Sequence, residues 1–302
     1  MPASTPSGSI TKYSLLGSTS AKHALVFLHG HKQGGLNIKC SLRAAMGGDA
    51  PDDTCVYCFT ALKTVDDWGE EPEWFAYRTS DRLSFVAEDL IKSRQRLHQL
   101  VGRLQRRHLR RGGTVSLGGY SQGACMAIDV ALTLPGISHV FLVAGFCMLP
   151  RYVSAVGGWH GYKPSAAKGE QPRLSLWAVH GRRDSEITWA LARRSFEALC
   201  ELYGGRVALD RVEIGDDDDH WSIWDAEEMG GWLRDFCDEA GRSSSTTAVA
   251  MAATARVATA RRKSSLCATA SEQELRDDLD DDAVADSENV DAQQRGENVE
   301  AS

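Results

Sequence analysis

The feature that most constrains the fold is a series of short apolar runs that alternates with helical patterns through the first 240 residues. The runs are rich in β-branched and aromatic residues, carry few charges and are bounded by Gly, Asp or Pro. Strands that are apolar at nearly every position are typical of a parallel sheet buried on both faces. Six strands are predicted: Ala24–Leu28, Thr54–Phe59, Thr114–Gly118, His139–Ala144, Leu174–Val179 and Arg206–Ile214.

The segments between these runs have the periodicity of helices. The clearest is Arg82–Leu109, in which apolar residues recur at spacings of three, four and seven, and Asp81 is predicted to cap its start. Alternating strands and helices indicate an α/β fold with right-handed crossovers, a mostly parallel central sheet and helices on both of its faces. Three further helices are predicted: Gln122–Leu134, Trp189–Tyr203 and Asp225–Ala240.

The composition changes sharply after residue 240. No Trp, Tyr or Phe occurs after Phe236, so the last segment cannot bury enough apolar surface to offset its ordering entropy. The chain is predicted to have a flexible N-terminus (1–10), one folded domain (11–240) and a disordered tail (241–302). In the tail, Ser264 and Ser265 follow three basic residues, which fits a phosphorylation site or a solvated charge cluster.

Charge and cysteine content exclude several classes of protein. The net charge of −7 argues against nucleic acid as the main partner. No apolar stretch approaches the roughly 20 residues that span a bilayer, and the N-terminus does not resemble a secretory signal.

Eight cysteines are too few for a disulfide scaffold, so a cytoplasmic location with reduced thiols is expected. Cys55 and Cys58 lie inside a predicted strand, which favours buried thiols over a zinc or redox site.

The segment TVSLGGYSQGA, residues 114–124, carries the strongest chemical signal. A strand ends, G-Y-S-Q-G follows and a helix begins, which is the context of a nucleophile elbow. Such a sharp turn presents Ser121 at the carboxyl edge of the sheet, beside the free N–H groups of a helix N-terminus. Gly119 and Gly123 are expected to flank it because a Cβ at either position would clash with a neighbouring strand or helix.

A serine nucleophile needs a base, and the base needs an orienting acid. On this fold they follow in the order serine, acid, histidine. Asp184 lies in the segment after one predicted strand and His220 in the segment after the next, so they are predicted to be the acid and the base. His180 is interpreted as a structural residue that ends its strand. The acidic run Asp216–Asp219 is interpreted as a solvated loop rather than a metal site, and no metal is predicted.

The loop HGHKQGG after the first predicted strand is expected to complete the site. The backbone N–H groups of His31 and Gln122 are predicted to form the oxyanion hole. Aromatic and sulfur-containing side chains near strand ends could form an apolar substrate groove, or they could be core and loop anchors. These candidates are Trp68, Trp74, Phe75, Phe146 and Met148.

The motifs LHGHKQGG, GGYSQGA, FCMLP and VHGRRD and the late Asp-His resemble the phospholipase/carboxylesterase group of α/β hydrolases over about residues 20–240. The resemblance implies an α/β-hydrolase fold without a large cap domain and without a cofactor. It implies a serine hydrolase that cleaves carboxylic ester or thioester bonds through an acyl-enzyme, as in acyl-protein thioesterases and lysophospholipases. The family's nucleophile, acid and base fall on Ser121, Asp184 and His220, and its oxyanion donors fall on the amides of His31 and Gln122.

The expected substrate is a small ester, a lysophospholipid or an acylated protein, and a protein partner for the tail is left open. The family's first loop usually reads HG-L-G-D-[ST]-G, whereas His31 replaces the apolar residue here and the acidic residue is missing. Ser185 and Glu186 stand where apolar residues normally follow the acid. These departures leave smaller or more polar esters open. The alternative is a non-catalytic ligand-binding or signalling protein that uses the pocket as a receptor.

Overall fold

A seven-stranded sheet forms the centre of the described part of the chain. The computed structural model describes residues 13–61, 63–66, 69–78, 85–148, 173–216, 218–225 and 228–242, with the backbone alone at 63–66 and 69–71. The sheet order is β1-β3-β2-β6-β7-β8-β9; β1 is antiparallel to β3, and every other neighbouring pair is parallel. Its strands are β1 (Tyr13–Leu16), β2 (His23–Leu28), β3 (Thr54–Phe59), β6 (Thr114–Tyr120), β7 (His139–Val143), β8 (Leu174–Gly181) and β9 (Val207–Gly215); β4 (Lys63–Asp66) and β5 (Gly69–Pro72) form a separate hairpin.

Helices cover both faces of this sheet. Leu97 and Phe196 pack into the apolar cluster on one face, and Leu42 and Phe236 pack into the cluster on the other. Within the described residues no further domain is inserted over the sheet. The helices are α1 (Gly35–Ala45), α2 (Ala87–Arg110), α3 (Gln122–Thr133), α4 (Trp189–Tyr203) and α5 (229–242), with 3-10 turns at Gly204–Arg206 and Ser222–Asp225.

The alternation of side chains along β2 explains why the sheet needs helices on both sides. Val26 and Leu28 point into the cluster that α2, α3 and α4 cover, whereas Leu25 and Phe27 point into the cluster that α1 and α5 cover. All four side chains are essentially inaccessible to solvent. The prediction of a mostly parallel sheet buried on both faces is therefore confirmed.

The six predicted strands are all present, and their bounds differ from the observed ones by at most two residues. The start of the long helix was predicted wrongly: α2 begins at Ala87, and its N-cap is Val86, which makes no side-chain cap. Asp81, the predicted cap, lies outside the described residues. Helix α1, strand β1 and the β4–β5 hairpin were not predicted. The boundaries of the three predicted regions stay predictions, because residues 1–12 and 243–302, including Ser264 and Ser265, lie outside the described part.

The C-x-x-C pair lies in β3, between the edge strand β1 and β2. Cys55 and Cys58 are both free and fully buried in β3, which confirms the interpretation as buried thiols. Burial raises the pKa of Cys55 to about 11 and that of Cys58 to about 12, so both remain uncharged and unreactive at neutral pH. Among the described helices, none has the length and apolar character needed to cross a membrane.

Two buried histidines are expected to make the fold sensitive to mild acid. Burial, reinforced by the nearby His139 and His108, lowers the pKa of His23 from 6.5 to about 3. Burial also lowers the pKa of His29 to about 4, against an opposing hydrogen bond to the carbonyl of Gly30. As the pH falls below 6.5, the unfolded chain takes up protons that the folded chain does not. The free energy of unfolding should fall by up to about 1.4 kcal/mol per pH unit for each ring, until the folded pKa is reached.

Urea titrations at pH 7.5, 6 and 5 would measure this loss as a decreasing midpoint. The control is His23→Gln, which removes one titrating ring, so its stability should depend less steeply on pH than that of the wild type. Equal midpoints at pH 7.5 and pH 5 in the wild-type protein would contradict the prediction.

Candidate active site

The turn between β6 and α3 has the geometry of a nucleophile elbow. Ser121 has φ 52° and ψ −117°, a conformation that non-glycine residues rarely adopt. A Cβ on Gly119 would lie 2.4 Å from the backbone of Gly123, and a Cβ on Gly123 would lie 2.2 Å from the carbonyl oxygen of Leu28. The expectation that both positions require glycine is confirmed. The Ser121 N–H donates to the carbonyl of Val143 at 2.9 Å, which ties the turn to the adjacent strand.

Backbone hydrogen bonds join the loop after β9 to the turn after β8. The N–H of Arg183 donates to the carbonyl of Asp218 at 2.9 Å, and the N–H of Arg182 donates to that of Gly215 at 2.9 Å. A Cβ on Gly181 would lie 2.4 Å from the Asp218 carbonyl, so the close approach of the two segments requires glycine there. In addition, the Tyr120 hydroxyl donates to the carbonyl of His220 at 2.7 Å, which fixes this loop to β6.

These contacts bring the three predicted side chains into one hydrogen-bonded chain. His220 Nε2 lies 2.9 Å from Ser121 Oγ, and His220 Nδ1 lies 2.8 Å from Asp184 Oδ2. All three residues are buried. With the Nδ1 proton donated to the carboxylate, Nε2 is left as an acceptor for the serine hydroxyl. The arrangement is therefore chemically able to move a proton from Ser121 to the imidazole.

The carboxylate of Asp184 is held at both of its oxygens. Oδ1 accepts the backbone N–H groups of Glu186 and Ile187 at 2.9 and 2.8 Å. Burial alone would raise the pKa of Asp184, but the N–H groups of His180, His220 and Ile187 outweigh it and hold the pKa well below the usual range. Asp184 is therefore an anion at neutral pH. A negative charge next to the imidazole N–H of His220 is what stabilises the protonated form of that ring.

The loop after β2 lies beside the elbow because β2 pairs with β6, with Leu28 opposite Gly119. Within the described part of the chain, neither the His31 N–H nor the Gln122 N–H has a protein hydrogen-bond acceptor. This agrees with their predicted role, which stays a prediction. The turn is closed by Gln33, whose side-chain oxygen accepts the N–H of Gly30 at 3.1 Å.

The side-chain amide of Gln122 makes structural hydrogen bonds that the sequence did not reveal, in addition to the predicted role of its backbone N–H. Its oxygen accepts the backbone N–H of Trp74 at 2.9 Å, and its nitrogen donates to the carbonyl of Phe75 at 2.8 Å. The Trp74 indole N–H donates to the carbonyl of His29 at 2.8 Å. Segment 72–75 is thereby fixed to both the elbow and the loop after β2, and the Lys32 N–H adds a bond to the Pro72 carbonyl at 3.1 Å.

A polar pair occupies the side of this loop. His31 Nε2 lies 3.0 Å from Glu73 Oε2, with side chains only 19% and 13% exposed. The His31 and Tyr77 rings lie edge-to-face, with their centroids 5.3 Å apart. The resemblance places an apolar residue at position 31, so the neighbourhood of the predicted oxyanion hole is more polar here than that pattern implies. Glu73 comes from a distant part of the sequence, and no motif pointed to it.

The predicted substrate-contacting side chains are mostly in the core. Trp74, Phe75, Phe146 and Met148 are all buried and belong to the apolar cluster on the α2–α4 side. Trp68 lies outside the described residues. For Trp74, the hydrogen bond to the loop after β2 favours the anchoring alternative. The groove stays a prediction for the others.

The acidic loop next to His220 makes ordinary polar contacts. Asp216 pairs with Arg182 at 2.7 Å on the surface, and Asp219 accepts the N–H groups of Trp221 and Ser222 at 2.8 Å. Among the described residues, no group of three or more His, Cys, Asp or Glu side chains could hold a metal ion. Asp217 lies outside the described part.

A parallel sheet with a serine elbow after a central strand, and with an acid and a histidine after later strands, defines an α/β hydrolase. The sequence profile of the phospholipase/carboxylesterase family matches residues 16–223, and the chain belongs to this family. No curated protein sequence matches the chain.

Solved structures with the same fold include known esterases. Acyl-protein thioesterase 2 from Zea mays has a TM-score of 0.54 at 18% identity, covering 76% of this chain and 100% of the other. A carboxylesterase from Bacillus cereus has a TM-score of 0.52 at 16% identity, covering 76% and 96%. One from Mesorhizobium loti has a TM-score of 0.52 at 14% identity, covering 74% and 93%. At such identities the similarity establishes the fold alone, whereas the family match supports hydrolase activity of the esterase or thioesterase type.

Proposed function

We propose that the chain is a serine hydrolase that cleaves carboxylic ester or thioester bonds through an acyl-enzyme on Ser121. The observation that carries this proposal is the continuous hydrogen-bonded chain from Ser121 through His220 to Asp184. The family match and the esterase names of the structural neighbours support the same class of reaction.

In the proposed reaction, His220 Nε2 takes the hydroxyl proton as Ser121 Oγ attacks the acyl carbon. The carbonyl oxygen becomes an oxyanion, which the backbone N–H groups of His31 and Gln122 would stabilise. His220 then gives its proton to the departing alcohol or thiol, and Ser121 is left acylated. A water molecule, deprotonated by His220, attacks the acyl carbon of this ester; the bond to Ser121 Oγ breaks, His220 returns the proton to Oγ, and the acid is released. Asp184 stays ionised throughout and stabilises the imidazolium.

The His31–Glu73 pair supports a preference for short or polar acyl groups. Both side chains are mostly buried next to the predicted oxyanion donors, and a long alkyl chain placed against them would desolvate the carboxylate without a compensating hydrogen bond. Among the substrates that the family suggests, small or polar esters and thioesters therefore fit better than long-chain lipids.

A panel of p-nitrophenyl esters and matched thioesters, from acetate to decanoate, tests both parts of the proposal. We expect hydrolysis with an initial burst of product, and kcat/KM at least about tenfold higher for butyrate than for decanoate. The matched variant His31→Leu should raise the decanoate-to-butyrate ratio. An unchanged ratio would contradict the role of the polar pair. If the folded protein hydrolysed no member of the panel, the result would contradict the proposed hydrolase activity and favour the non-catalytic ligand-binding alternative.

A further inference from the structure

A second buried imidazole lies against the same carboxylate as His220. His180, near the end of β8, is 1% exposed, and its Nε2 lies 3.3 Å from Asp184 Oδ2. The same nitrogen lies 2.6 Å from the carbonyl oxygen of Ile187. A carbonyl oxygen can only accept, so Nε2 carries a proton, and this N–H faces both the carbonyl and the carboxylate.

We infer that His180 is a positioning residue that fixes Asp184 for its interaction with His220. The inference rests on the proposed function, since it assigns His180 to the same Ser121–His220–Asp184 chain. His180 touches neither Ser121 nor His220 through any described hydrogen bond, so it acts through the carboxylate alone.

The contacts of Asp184 show why an extra donor matters at Oδ2. The N–H groups of Glu186 and Ile187 both bind Oδ1, whereas the oxygen that faces His220 is Oδ2. At Oδ2, His220 and His180 approach at 2.8 and 3.3 Å. With His180 present, the carboxylate has a fixed partner at each oxygen besides the imidazole that it must orient.

The bond from His180 to Ile187 adds a second constraint. Ile187 donates its own N–H to Asp184 Oδ1 and accepts from His180, so the imidazole closes a ring of contacts around the turn after β8. His180 itself is held in place, because β8 has a neighbouring strand on each side and the His180 ring packs against that of Trp189, with ring centroids 5.6 Å apart. A displacement of about 1 Å at a catalytic group can cost roughly 100-fold in rate, so small losses of order here would be visible in kcat.

Two substitutions separate the hydrogen bond from packing. His180→Phe keeps a ring against Trp189 but removes the donor, whereas His180→Gln places an amide N–H near the position of Nε2. We expect His180→Phe to lower kcat roughly 10- to 100-fold with KM changed less than about twofold, and His180→Gln to recover most of the loss. The matched control is His23→Phe, which removes another buried imidazole with a hydrogen bond, to Ser116 at 2.8 Å, at the opposite end of the sheet. It should lower stability without lowering kcat.

A spectroscopic measurement distinguishes positioning from simple stabilisation. The proton NMR signal of the His220 Nδ1–H, assigned by its loss in His220→Gln, should shift or broaden in folded His180→Phe and stay unchanged in His23→Phe. A His180→Phe enzyme with kcat within about twofold of wild type, or with an unshifted Nδ1–H signal, would overturn the inference. Failure of the proposed function has a different signature, because wild-type protein would then neither hydrolyse esters nor react with a fluorophosphonate.

Discussion

Ser121→Ala is expected to lower kcat for ester hydrolysis by roughly 10⁴- to 10⁶-fold, because the members of a serine triad act as a unit. Without the hydroxyl, His220 has no proton to take and the acyl group has no attachment point. The loss should lie in kcat, since the variant keeps the predicted oxyanion amides and the surroundings of the site. The measurement is steady-state kinetics on p-nitrophenyl butyrate, with fluorophosphonate labelling as an independent readout that should also disappear.

Measuring the free energy of unfolding of Ser121→Ala separates loss of the nucleophile from misfolding. Alanine carries a Cβ like serine, so both residues bear the same strain at φ 52°, and the free energy of unfolding should change little. His220→Ala should cause a loss of similar size, and the double variant should lose little more than either single one. A Ser121→Ala protein that retains activity within about tenfold of wild type would exclude Ser121 as the nucleophile.

Gly123→Ala is expected to destabilise the protein by about 3 kcal/mol or more, the upper range for an overpacked core. The added Cβ would lie 2.2 Å from the carbonyl oxygen of Leu28 and 2.5 Å from that of His29. These are backbone atoms at the end of β2, so relief requires the strand or the elbow to move. Because the predicted oxyanion loop follows directly, any folded fraction should also be less active. Urea unfolding followed by circular dichroism would measure the loss.

A second glycine provides the opposite outcome for the same substitution. Gly231 lies in α5, where an added Cβ meets no atom within 4 Å. Gly231→Ala should therefore stabilise the protein by about 0.5–1 kcal/mol, because alanine restricts the unfolded chain and favours a helix. If Gly123→Ala and Gly231→Ala changed the free energy of unfolding equally, steric contact at the elbow would not be the reason that position 123 requires glycine.

The sheet and the hydrogen-bonded chain Ser121–His220–Asp184 were predictable because each depends on a local sequence pattern. β3 and α4 have the predicted bounds, since apolar runs and helical periodicity are strong in those segments. Ser121, Asp184 and His220 could be found because each lies in the turn or loop that follows a strand, and the carboxyl ends of parallel strands share one edge of the sheet. Their hydrogen bonds then follow from the topology.

The features that were missed depend on contacts between distant segments. Glu73 meets His31, and the Gln122 amide binds the backbone of residues 74 and 75, through loops whose path no periodicity encodes. His180 could be assigned to a strand end, but its distance from Asp184 depends on how the following turn folds back. The start of α2 was misplaced because Val86 lacks the polar side chain by which a helix start is usually recognised.

The two groups predicted to stabilise the reaction's negative charge belong to the main chain, at positions 31 and 122. A substitution at position 31 can therefore alter which acyl groups are accepted without deleting an electrostatic donor. In this chain, the side chain at position 31 would determine substrate selectivity, and the backbone N–H of the same residue would contribute to the rate. A single codon change at this position would then alter the range of substrates while the chemical step is preserved.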